Sequence, residues 1–126
     1  MSEPLRGVVV AHAGVAGALV EAVARITGLS DGLVAVSNEG CDRGALEERL
    51  AAAVGQAPAV VFVDLPSGSC LLASARFLRS RPGVAVVAGV NLPMLLDFVY
   101  HRDATPDAAA ARAVATGARA LKVVEQ

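Results

Sequence analysis

Three side chains in this sequence have the types and placement to handle an anion: His12, Asp64 and Ser69. His12 follows Gly7–Ala11, a valine-rich run that reads as a buried strand, and precedes a small-residue turn at Ala13 and Gly14. An amphipathic run starts at Val15. The order strand, loop, helix sets the imidazole at the carboxyl end of a strand, the edge of an open parallel sheet where ligands bind. A helix N-terminus there adds unpaired N–H groups and a partial positive charge, both suited to phosphate. Asp64 ends another valine-rich run. A carboxylate on one imidazole nitrogen fixes the tautomer and aims the other nitrogen's lone pair outward. It also stabilises the positive charge that develops when that nitrogen attacks an electrophile. Ser69 sits at the start of the next helix, where its hydroxyl and neighbouring N–H groups can hold an anion. Each residue also has a plainer reading: His12 caps its turn, Asp64 caps a helix, and Ser69 is an ordinary N-cap.

Other polar residues point less clearly to chemistry. Asn91 reads as closing a turn. His101, between Tyr100 and Arg102, reads as a surface residue at a helix end. Cys70 is either a buried small hydrophobe or a solvent-facing thiol, with no activating partner nearby in sequence. Arg76, Arg79 and Arg81 form a solvated face or a dock for an acidic partner. Cys41 and Cys70 form no CxxC pair, and two histidines supply too few soft ligands for zinc, so both thiols are expected to be reduced and metal-free. A serine hydrolase elbow needs GxSxG, and SGSCL lacks the second glycine. There is no GxxxxGK[ST], and AHAGVAG matches GxGxxG poorly.

The elements that must position these residues alternate in type. Valine-rich runs at Gly7–Ala11, Leu33–Val36, Val60–Val63 and Val84–Ala88 are separated by helical patterns, the signature of a parallel α/β sheet. Val15, Leu19, Val23 and Ile26 mark the first helix, with Gly28 as its stop. Leu46, Leu50 and Val54 mark the second, with Glu47, Glu48 and Arg49 on its wet side. The third runs from about Leu71 to Arg79. Leu92, Leu95, Leu96 and Val99 make a short buried helix. Thr105-Pro106-Asp107 starts a last helix that reaches about Ala115, with Gly117 beyond it. The tail from Ala120 to Val124 reads as a further strand. In right-handed βαβ units, the loops bearing His12, Asp64 and Asn91 open on one edge of the sheet.

Composition narrows the classes. A chain of 126 residues is expected to be a single domain spanning 1–126. Eleven basic against twelve acidic residues, a net charge of −1 and 3% aromatics argue against a nucleic-acid surface. Hydrophobic residues make up 55%, yet no run approaches the roughly 20 apolar residues of a membrane span. MSEPLRG does not open a secretory signal, so the expected location is the cytoplasm.

The segments VVVAHAG, VFVDLPSGS, VVAGVNLPMLLDFVYHR and ARALKVVE resemble the EIIA component of the mannose family of the bacterial phosphoenolpyruvate-dependent sugar phosphotransferase system (PTS). The AGVN-[LI]-PML core is the most specific of these. The resemblance implies that His12 is the phosphorylated histidine, taking its phosphoryl group from the phosphocarrier HPr and passing it to an EIIB partner for sugar uptake. It implies that Asp64 orients His12 and that Ser69, with Gly68, contacts phosphate; no cofactor or metal is implied. The implied fold is a three-layer α/β sandwich with a four-stranded parallel sheet. The family is commonly a homodimer exchanging a C-terminal strand, here the tail from Ala120, and it meets the membrane only through partner permease subunits. The sequence departs from the family at Ala13, where glycine is usual. In the D-x-x-G-G-S-P-x-N loop it has Ser67 for glycine, Cys70 for proline and Leu72 for asparagine. GSCLLAS leans toward the related phosphotransfer subunit of dihydroxyacetone kinase. A regulatory EIIA-like protein of an incomplete PTS is the alternative role.

Overall fold

The computed structural model describes residues 4–125. Strands β1 (Arg6–Ala11), β2 (Leu33–Ser37), β3 (Ala59–Val63) and β4 (Val84–Ala88) form a parallel sheet in the order β2-β1-β3-β4. The helices are α1 (Val15–Thr27), α2 (Arg43–Val54), α3 (Ser69–Ser80), α4 (Leu92–Tyr100) and α5 (Pro106–Ala120).

Side chains alternate across a strand, so each central strand feeds two cores. Val9, Ala11, Val60 and Phe62 meet α1, α4 and α5 on one face, while Val8, Val10, Val61 and Val63 meet α2 and α3 on the other. That makes three layers. Such burial on both faces is why β1 and β3 read as unbroken apolar runs. Phe62 packs edge-on against Phe98 of α4, with ring centres 5.3 Å apart, worth about 1 kcal/mol beyond burial.

The chain steps from β1 outward to β2, then crosses back to β3 on the other side of β1. The strand order therefore reverses between β1 and β3, and their carboxyl ends diverge into loops around a crevice. Val10 pairs with Val63, so His12 and Asp64 leave the sheet side by side.

Helix starts fall into two kinds. Asp42, Asn91 and Thr105 cap α2, α4 and α5 through their side chains. By contrast, α1 and α3 follow Gly14 and Gly68, and no side chain caps either.

Several boundaries differ from the sequence reading. The buried stripe of α1 is Ala16 and Val23, backed by Leu19 and Val20, while Val15 and Ile26 are exposed. Helix α3 begins at Ser69, because Gly68 adopts φ 93 and turns the chain directly into it. Helix α5 continues through Gly117 to Ala120. Gly117 lies inside the helix because α4 approaches it there: a Cβ would fall 2.8 Å from Asn91 Oδ1 and collide with Met94. Residues 121–125 add no strand to this sheet, and Leu121, Val123 and Val124 are exposed.

Candidate functional site

The site is built at the switch point. His12 follows β1 directly and Asp64 follows β3 directly. Asp64 Oδ2 accepts from the backbone N–H of His12 and lies against its ring Nδ1, each at 2.9 Å. The His12 side chain is 36% exposed, whereas that of Asp64 is only 14%. Burial raises the Asp64 carboxyl pKa, but the backbone N–H, the ring N–H and the charge of His12 outweigh it and hold the group below its ordinary value. An ionised Asp64 only accepts hydrogen bonds, so in the neutral form of the imidazole Nδ1 carries the proton and Nε2 presents a lone pair.

Gly68 lies beside that edge of the ring. A Cβ there would sit 3.8 Å from Nε2, so the backbone entering α3 lies close against the reactive edge of the ring. Ser69 is the first residue of α3 and is exposed. The uncapped starts of α1 and α3 thus both adjoin His12, and neither carries an acid in its first turn. Exposed apolar side chains, Val15, Leu65 and Leu72, lie on the same segments.

Two contributors were not legible in the sequence. The end of β2 clamps the residue after the histidine: Ser37 Oγ donates to the Ala13 carbonyl at 2.8 Å, and the Ala13 N–H donates to Asn38 Oδ1 at 3.0 Å. Ala13 is held at φ 51, in the left-handed region. A polar pair at a third strand end was the available signal, hidden in SNEGCDRG. The other contributor is Cys70. The sequence offered it no partner, yet its Sγ lies 3.9 Å from His12 Nδ1, fully buried. Burial and the Asp64 charge push this thiol up, with a hydrogen bond from Ser69 opposing them.

Asn91 and His101 are structural. Asn91 Oδ1 accepts from Met94 N–H and its Nδ2 donates to the Gly117 carbonyl, tying α4 to α5. His101 ends α4, with Nδ1 donating to the Asp97 carbonyl and Nε2 facing Arg112 at 2.8 Å. Its neighbour Arg102 bonds Leu5 ahead of β1, at the sheet edge opposite His12. Arg76 lies 3.5 Å from Glu47, and Arg81 covers Phe77 and donates to the Gly55 carbonyl, so these arginines tie α2 and α3 together.

These features define a doubly wound α/β protein with a carboxylate-held, solvent-facing imidazole at its switch point. The family model EIIA-man, described as PTS system fructose IIA component, matches residues 7–115. The chain therefore belongs to the mannose-type EIIA family of PTS phosphotransferase components. Among solved structures it is similar to the phosphotransferase component EIIA of Streptococcus agalactiae, with TM-score 0.88 and 18% identity over 94% of this chain and 96% of that one. It is also similar to the mannose/sorbose specific IIA subunit of Enterococcus faecalis, with TM-score 0.87 and 22% identity over 98% and 97%. A PTS IIA protein associated with the fucose utilization operon of Streptococcus pneumoniae aligns at TM-score 0.73 and 18% identity over 98% and 96%. No curated protein matches the chain. Among the described residues, no helix is long and apolar enough to cross a membrane.

Proposed function

We propose that this chain is a cytoplasmic phosphoryl carrier that accepts phosphate on His12 from phosphorylated HPr and passes it to an EIIB protein. The observation that carries the reading is the pairing of Nδ1 with Asp64, which leaves Nε2 free beside Gly68 on a side chain 36% exposed.

The chemistry follows from that geometry. Nε2 attacks the phosphorus of the incoming phosphohistidine, the N–P bond of the donor breaks, and the donor nitrogen keeps the electron pair. Positive charge spreads onto the ring, and Asp64 stabilises it through the Nδ1 proton. The phosphoryl oxygens meet the uncapped N–H groups of α3, Ser69 among them, at the positive end of that helix. Transfer between proteins then rests on positioning, for which an exposed ring in a shallow apolar rim is suited. Asp64 reverses its service when EIIB takes the group. In this reading the molecule is a homodimer in which the tail beyond α5, which ends at Ala120, is exchanged.

Incubation with enzyme I, HPr and phosphoenolpyruvate tests the proposal. Acid-labile phosphate is expected on the wild-type chain and not on His12→Ala; its absence from both excludes the carrier role.

A second reading draws on Ser67 and Leu72, both exposed beside the site, where the resemblance would place glycine and asparagine. They leave the acceptor unchanged but alter the rim that meets a partner. The recipient would then be a dihydroxyacetone kinase or a regulated protein. Assays of transfer to purified EIIB, kinase and regulator candidates distinguish the two.

A further inference from the structure

Phosphoryl transfer as drawn above leaves Cys70 unused, although its sulfur lies 3.9 Å from His12 Nδ1. Nδ1 is in turn 2.9 Å from Asp64 Oδ2, and the three donor atoms all fall within 4.8 Å of one another. Imidazole nitrogen, carboxylate and thiolate are the donors that zinc-like cations take up. Bonds of about 2.0 Å to nitrogen and oxygen and about 2.3 Å to sulfur give tetrahedral edges of roughly 3.3 to 3.6 Å. The sulfur has to move inward and the Nδ1–Oδ2 pair to open slightly to reach them. Asp64 Oδ1 is buried without a hydrogen-bond partner, so the carboxylate has a second oxygen ready to share the load. Thiolate plus carboxylate carry two negative charges, which a dication cancels around a neutral ring. Neutrality matters where Cys70 is fully buried.

We propose that His12 Nδ1, Asp64 and Cys70 Sγ form a binding site for a soft divalent cation of the zinc class, whose occupancy blocks phosphoryl acceptance at Nε2. Binding releases the Cys70 S–H proton to solvent and shifts the His12 ring proton from Nδ1 to Nε2, so the ring stays neutral while metal bonds form to N, O and S, with no oxidation. Water completes the coordination. With the ring proton on Nε2 that nitrogen has no lone pair to attack phosphorus, and the cation on Nδ1 opposes any positive charge developing on the ring. By linkage, binding and phosphorylation weaken each other. The inhibitory half rests on the function proposed above; the binding half does not.

The test titrates the full, metal-free chain with Co²⁺ as probe, then displaces it with Zn²⁺. One equivalent is expected to produce thiolate-to-cobalt charge transfer and tetrahedral ligand-field bands in wild type and in Cys41→Ser. Both signals are expected to vanish in Cys70→Ala and Cys70→Ser. No thiolate band in wild type, or a band that survives loss of Cys70, overturns the site. In the second arm, one equivalent of Zn²⁺ is expected to slow phosphorylation of wild type by tenfold or more relative to its metal-free rate. The same addition is expected to leave Cys70→Ala at its own metal-free rate. Equal slowing of both, or none in wild type, overturns inhibition. A metal-free wild type that takes no phosphate removes the carrier reading and the inhibitory half with it, while the cobalt result stands by itself.

Discussion

One oxygen of Asp64 holds His12 twice: Oδ2 accepts the backbone N–H and the ring Nδ1, each at 2.9 Å. The first contact fixes where the residue leaves β1, and the second fixes how its ring is turned. Because His12 and Asp64 leave adjacent parallel strands, the sheet itself sets their separation. The site is thereby mounted on the two most deeply buried strands of the molecule.

Asp64→Asn tests this double hold. An amide retains an acceptor oxygen but no charge, so the fold is expected to persist while phosphoryl acceptance slows by about a hundredfold, in the range for a positioned group assisting proton and charge movement. Single-turnover labelling beside circular dichroism reads both. A folded variant with an unchanged rate removes the orienting role.

The depressed carboxyl pKa of Asp64 makes a stability statement. Its folded value lies below its unfolded value, so its contribution is fully present above the unfolded pKa and disappears as pH falls through the folded one. The stability advantage of wild type over Asp64→Asn is therefore expected to shrink as pH drops below the ordinary carboxylate range, near ~3.9. Urea midpoints of the two proteins across acid pH give the comparison.

Ala13 carries its methyl group at φ 51, held there by Ser37 and Asn38. The left-handed region costs an L-residue about 1–2 kcal/mol, and glycine returns part of this through a more flexible unfolded chain. Ala13→Gly is expected to stabilise the protein by about 0.5–1 kcal/mol, read as a higher urea midpoint at constant slope.

Gly117 is fitted against Asn91 and Met94. Gly117→Val is expected to lose about 1–3 kcal/mol by overpacking, since the added carbons displace the residue that caps α4. Thermal unfolding measures the loss, and an unchanged midpoint means that α4 and α5 separate freely.

These residues also show what the sequence could reveal. Parallel strands bring their carboxyl ends to one edge, so the pattern of strands allowed His12 and Asp64 to meet, while their adjacency follows from the pairing of β1 with β3. The place of Cys70 depended on the turn made by Gly68, whose positive φ starts α3 at Ser69 instead of near Leu71. Gly117 looks locally like a helix stop, and only the approach of α4 explains a glycine within the helix. The strain at Ala13 arises from hydrogen bonds to Ser37 and Asn38, a polar pair at the end of β2 whose partner is distant in sequence.

Phosphorus and nitrogen NMR of the phosphorylated chain tests the central claim most directly, because it identifies the ring nitrogen that bears the phosphate. With Nδ1 committed to Asp64, the expected species is Nε2-phosphohistidine at His12. Phosphate on Nδ1, or on any residue other than His12, contradicts the account.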